Sequence, residues 1–165
     1  MRRFAYETNG KNGRVETFFL PQTPQEFASR ATRRVSSSKF MDGVKHFSML
    51  VWALPEGVTH IDDVPRSSPA RATYIQCGGS AEAMTIEIRV THDDGSYEQY
   101  TVAREPVTDP EAWTTVSWDN GNPEPYTIQV HPQEVFTGEQ AAPVFRAYIE
   151  DNALPPADLL RRIDV

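Results

Sequence analysis

The chain predicts an α+β fold: a twisted, mainly antiparallel sheet built from hairpins, with one helix near the N-terminus and one near the C-terminus packed on it. Three observations carry this. Met84, Ile86, Ile88 and Val90 alternate with Thr85, Glu87, Arg89 and Thr91, the period of two that a half-buried antiparallel strand requires. Thr23-Pro24-Gln25-Glu26 and Thr137-Gly138-Glu139-Gln140 are capping boxes, each followed by apolar residues at helical spacing. Loops rich in Asn, Gly and Asp separate the alternating runs at hairpin distances. At 165 residues the chain is long enough for one domain, residues 1–165, to bury a core without covalent staples.

The elements follow in chain order. Phe4 to Thr8 and Arg14 to Leu20 flank Asn9-Gly10-Lys11-Asn12-Gly13, whose Asn-Gly pairs tolerate positive φ, so they form an opening hairpin with a basic edge. Phe27, Ala31 and Val35 put one apolar stripe on a helix at 24–36, and Arg30, Arg33 and Arg34 give it a solvated face. Phe47 to Leu54 is apolar on both parities from Met49 onward, which suits a central strand covered on both faces. Residues 55–71, with three prolines and Asp62-Asp63, are expected as a long surface loop before a short strand, Thr73 to Cys77. The alternating strand at 84–90 returns through Asp94-Gly95-Ser96, pairing Val90 with Tyr100 and Ile88 with Val102. Thr114, Val116 and Trp118 pair with Val130, Ile128 and Tyr126 across a loop over 119–125. Ala141, Val144, Phe145, Tyr148 and Ile149 mark a helix at 138–151, with Pro143 as its weak point. Leu154-Pro155-Pro156 ends it, and Asp158 to Val165 is a short closing segment.

Charge is segregated along the chain. Residues 1–80 hold 11 Lys/Arg against 7 Asp/Glu, and residues 81–165 hold 5 against 16, within a net charge of −7. Summed charge of this kind steers partners and says nothing of fold. Long-range attraction to a polyanion is disfavoured, so the basic and aromatic N-terminal residues are not read as a nucleic-acid site. One cysteine excludes an internal disulfide framework, Glu7, Thr8 and Asn9 leave the N-terminus without the apolar core of a signal peptide, and the longest apolar run, Met49 to Leu54, is strand-sized. The expected location is cytoplasmic, with no membrane contact.

Catalytic and metal chemistry finds little support. His46, His60, His92 and His131 have no ligand spacing, so neither metal nor cofactor is expected. Cys77 before Gly78-Gly79 could serve as a nucleophile, yet a small buried residue at a strand end is the simpler reading. Glu87 with Glu98, or Asp62 with Asp63, could be offered as an acid–base pair, but they occupy polar strand positions and a loop. The chain is therefore expected not to be an enzyme.

The stretch from Val135 to Pro155 has an Ala-rich helix start at Ala141-Ala142, an apolar-Phe pair at Val144-Phe145, an aromatic at Tyr148 and an exit through Asn152-Ala153-Leu154-Pro155. In this it resembles the last part of polymorphic-toxin immunity proteins, a family often found beside deaminase-type toxins. The resemblance covers roughly the last 30 residues, and Pro143 stands where the family usually has a good helix former. It implies a bacterial, non-catalytic toxin inhibitor that blocks its cognate toxin's active site or substrate groove. Toxins acting on nucleic acids or nucleotides commonly have cationic grooves, for which acidic hairpin tips are complementary. Asp93, Asp94, Tyr97, Glu98, Asp119 and Glu124 are the expected contact residues. A small adaptor or scaffold of the same fold is the rival reading, and a hydrolase using Cys77 or a carboxylate pair comes third.

Overall fold

The computed structural model describes residues 2–18 and 23–165. Its main sheet has seven strands, every neighbouring pair antiparallel. In chain order these are β1 (Arg3–Gly10), β2 (Gly13–Phe18), β3 (Ser48–Leu54), β4 (Tyr74–Gly79), β5 (Met84–Thr91), β6 (Tyr97–Val102) and, at the C-terminus, β9 (Leu160–Ile163). Across the sheet they lie in the order β2-β1-β3-β4-β5-β6-β9. A separate hairpin, β7 (Thr114–Trp118) and β8 (Tyr126–Val130), pairs in the expected register, Val116 opposite Ile128. The helices are α1 (Pro24–Ser36) and α2 (Gly138–Asp151). The fold is α+β, as the alternation and the capping boxes predict.

Both helices lie on one sheet face. Phe27, Ala28, Ala31 and Val35 of α1, with Ala141, Phe145, Tyr148 and Ile149 of α2, meet Phe4, Tyr6, Met49, Val51, Ile75, Cys77, Ile86 and Ile88 in one buried cluster. Burying each large apolar side chain there is worth about 1.5–3 kcal/mol, so this layer is the main source of cohesion. Each helix begins with its reciprocal box: Thr23 accepts from the Glu26 N–H while Glu26 accepts from that of Thr23, and Thr137 and Gln140 do the same. Pro143 leaves α2 in one piece; it stands in the second turn with its ring on the exposed side. Asn152, at φ 50°, closes the helix in the left-handed region that asparagine tolerates.

The opposite face has two covers. Ala5, Trp52 and Leu54 pack against Ile61 and Val64 in a second cluster. The segment over 55–73 is thus more than a surface loop. Its proline-rich path places two apolar anchors, and the Arg71 carbonyl accepts the Trp52 indole N–H at 2.9 Å. Hairpin β7–β8 is the other cover, with the Trp118 ring resting on Gly78.

Three further expectations are corrected. The β5–β6 register is offset by two residues, with Val90 opposite Glu98 and Ile88 opposite Tyr100. The loop is Asp93-Asp94-Gly95, closed by the His92 N–H to the Ser96 carbonyl, because its third position needs positive φ and Gly95 supplies +86°. β4 runs on through Gly78 and Gly79, two residues past the expected Cys77. The closing segment contains the edge strand β9, bound to β6. Of the opening hairpin, Phe19 and Leu20 lie outside the described residues.

Helix packing also sets a prediction. A Cβ on Gly138 would stand 2.3 Å from the Val35 carbonyl oxygen, and backbone cannot yield as a side-chain tip can. Gly138→Ala is expected to cost about 1–3 kcal/mol through overpacking, read as a lower urea midpoint at unchanged slope. Pro143→Ala, on the exposed side of the same helix, should be neutral or stabilising.

Candidate partner-binding face

The basic N-terminal half pairs part of its charge internally. Arg14 bonds Asp62 and Glu7, and Arg71 lies 3.7 Å from Asp62. Arg14 beside Asp62 holds that carboxyl below the usual range. Among the described basic residues of the first helix, Arg30 donates to the Tyr6 hydroxyl and Arg34 lies over the Phe40 ring.

The two acidic tips stand at opposite ends of the sheet. Asp93 and Asp94 lie beyond the Thr91–Tyr97 pair, at the end where β3 finishes with Leu54. Asp119 and Glu124 lie beyond Trp118 and Tyr126, where Gly121 abuts the backbone of Lys11 in the β1–β2 turn. Thr85, opposite Gly78, and Thr91 mark these ends on β5, about 20 Å apart at strand rise. Two of the carboxylates build their own turns. Asp94 accepts from the Ser96 hydroxyl and N–H, which holds it below the usual carboxylate range, and Asp119 accepts from the Gly121 N–H. Tyr97 and Glu98, being consecutive on a strand, point to opposite faces: Glu98 shares the helix side with Tyr100, whose hydroxyl donates to it. The six expected contact residues are therefore not one patch.

A continuous surface does exist on the face opposite the helices. Hairpin β7–β8 crosses it from the β9 side, where Trp113 lies beside Arg161, to β4 and the β1–β2 turn. Gln76, Glu87, Arg89 and Gln99 form a joined polar floor beside it. Gln76 and Gln99 both donate to Glu87 Oε2, at 2.9 and 2.7 Å, and the Arg89 guanidinium donates to Gln99 Oε1 at 2.7 Å. Arg89 is also held over the Tyr97 ring at 4.2 Å. Tyr97, Trp113 and Tyr126 all stand on this face, 39%, 50% and 45% exposed. Half-exposed aromatics around a fixed polar floor are the composition of a recognition surface.

Trp113 is fixed by an ion pair that the sequence conceals. The fully buried Glu134 carboxylate takes both Arg161 Nε, at 2.8 Å, and Arg161 Nη2, at 3.0 Å, and also accepts the His131 N–H at 2.7 Å. The Trp113 ring stacks on His131 at 3.9 Å and lies 5.4 Å from the Arg161 guanidinium. The signal was present: His131-Pro132-Gln133-Glu134 has the proline and the acidic residue of a helix start, and forms a short capped turn. What spacing cannot show is the arginine that comes from a strand 27 residues later.

The residues offered for chemistry are not arranged for it. Cys77 is 1% exposed on the helix side, and burial pushes its thiol up to about 12, the reverse of an activated nucleophile. Glu87 and Glu98 are on opposite faces of the sheet. Asp62 is paired with Arg14, and His60 accepts the Asp62 N–H. His46 stacks on Phe40 with its Nδ1 2.8 Å from the Phe40 carbonyl. Among the described residues no three His, Cys, Asp or Glu side chains cluster as metal ligands, and no helix is long and apolar enough to cross a membrane. Comparison with protein-family models, with curated proteins and with solved structures gave no match.

Two outcomes test this description. The Cys77 thiol should resist iodoacetamide in the native protein and react fully in denaturant; stoichiometric native labelling would contradict its burial. Arg161→Ala should cost about 3 kcal/mol, at the lower end for breaking a buried pair because a third of Arg161 faces solvent. The double variant Glu134→Leu, Arg161→Met should recover part of that loss in the same urea titration.

Proposed function

We propose that the protein is a non-catalytic binding partner that neutralises a cognate bacterial toxin by covering a cationic active site or substrate groove. The observation that carries this reading is the face opposite the helices. It joins a pre-ordered polar floor to three half-exposed aromatics held by stacking or ring contacts, so little side-chain entropy is lost on binding. The net charge of −7 favours rapid encounter with a basic partner. The C-terminal helix and its exit, which carry the resemblance to immunity proteins, complete the other layer and leave this face free. An inhibitor of this kind acts in the compartment of its toxin's target, here the cytoplasm, and needs neither nucleic acid, membrane nor cofactor. A scaffold role would use the same face; neutralisation is preferred because an acidic protein with a rigid aromatic surface suits a cationic groove.

The experiment is protection and binding against the toxin encoded beside this gene. Charge reversal at Asp93 and Asp94 should slow association severalfold and flatten its salt dependence, while dissociation changes little. Reversal at Asp119 and Glu124 should matter less, since that tip rests on the β1–β2 turn. Tyr97→Ala should speed dissociation instead. If all three variants bind and protect as the native protein does, the interface lies elsewhere and the reading fails.

A further inference from the structure

The crevice beneath hairpin β7–β8 holds an uncompensated charge. It is a cavity of about 100 Å³ between β4, β5 and the hairpin, with Glu87 and Gln76 at its base, Ser48 and Thr85 on one side, and Trp118 and Tyr126 as walls. Glu87 Oε2 is saturated by the two glutamine amides. Among the described residues Glu87 Oε1 has no hydrogen bond and no cation stands within ion-pair distance of this carboxylate; Arg89, two residues along the same face, gives its Nε to Gln99 instead. A half-buried carboxylate held by two neutral amides presents its second oxygen to the crevice.

The walls are aromatic for a structural reason that also shapes the site. Gly78 lets Trp118 lie against the sheet, since a Cβ there would come 2.8 Å from the indole Cη2. Tyr126 follows Trp118 with ring centroids 4.7 Å apart and remains 45% exposed, so the crevice opens to solvent along an aromatic edge. A carboxylate below and aromatic faces beside it form the pair of features that attract a planar cation, through charge-assisted hydrogen bonds and cation–π contact. At about 100 Å³ the cavity has room for one guanidinium head.

We propose that this crevice receives a single arginine side chain from a protein partner, with Glu87 as its counter-ion and Trp118 and Tyr126 as its walls. The source of the arginine rests on the binding role argued above, and fits the cationic groove of such a partner. The pocket chemistry stands on Glu87 and the two rings alone.

The probe is therefore N-acetyl-arginine methylamide, titrated into the full chain while the indole signal of Trp118 is followed by NMR. A saturable shift with millimolar affinity is expected, absent with the neutral isostere N-acetyl-citrulline methylamide. Glu87→Gln keeps the shape and an oxygen for the two glutamine donors, and should weaken arginine binding at least tenfold at unchanged melting temperature. Tyr126→Leu, at an exposed wall, provides a second variant and should weaken it severalfold. No saturable shift, or an equal response to citrulline or in Glu87→Gln, would overturn the proposal. Should arginine bind as described while the neighbouring toxin does not, the pocket stands and the neutralising role falls. If that toxin binds wild type and Glu87→Gln equally, the role stands and the crevice is not its docking point.

Discussion

The architecture depends on the seat of Trp118 on Gly78. A seven-stranded antiparallel sheet has two faces to cover, and the chain's two helices both lie on one of them. The other face must be closed by strands and loops. Gly78, in the central strand β4, lets the hairpin's largest ring approach backbone closely, because a Cβ there would come 2.8 Å from it. Once Trp118 is seated, β8 is carried back toward β9, the turn at 132–134 reverses the chain, and Phe136 exchanges two backbone hydrogen bonds with Met84 at 2.8 Å. That bridge places Thr137 and Gly138 against the end of α1, so the capping box of α2 starts where its stripe meets the core. Cover on one face thereby sets helix position on the other.

Much of this is legible in the sequence, and the limits have physical causes. The helices can be read to the residue because a capping box is a local contact, three residues long, and the stripes of Phe27, Ala31 and Val35 and of Ala141, Phe145 and Tyr148 face one layer. Hairpin β7–β8 is equally local, and its register follows from matching parities. Parity alone leaves the β5–β6 register ambiguous by two residues, since either pairing keeps Ile88 and Tyr100 inward. The choice is made by Gly95, which alone among the loop residues takes positive φ without cost. The proline-rich stretch after β3 misleads for a different reason. Its apolar residues Ile61 and Val64 are isolated in sequence and acquire a partner only when Trp52 is folded beneath them.

Long-range polar pairing is where sequence reading stops. Arg14 finds Asp62 from 48 residues away within the same half of the chain, and the acidic loop meets the β1–β2 turn through backbone, Gly121 by Lys11. The bidentate pairing of Arg161 with Glu134 joins a capped turn to a strand 27 residues later, a separation that no local motif spans. Contact residues inferred from hairpin tips suffer in the same way. A tip is exposed by definition, and exposure does not bring two tips together when the hairpins lie on different layers.

The alternating strand β5 shows that the outward residues on the face opposite the helices are ordered together. On a solvated face the outward residues of neighbouring strands would be independent of one another. Here Gln76, Glu87, Gln99 and Arg89 are outward residues of three adjacent strands, joined into one chain of hydrogen bonds that ends under the Tyr97 ring. Ordering such long side chains costs rotamer entropy, about 1.5–2 kcal/mol for each of the longest, and water would satisfy them equally well. The cost is offset only by their mutual bonds and by the shelter that the hairpin and the 55–73 segment provide on either side. Folding therefore bears an ordering cost that a flexible surface would meet on binding, which leaves a rigid, half-desolvated floor whose remaining free valence is the second oxygen of Glu87.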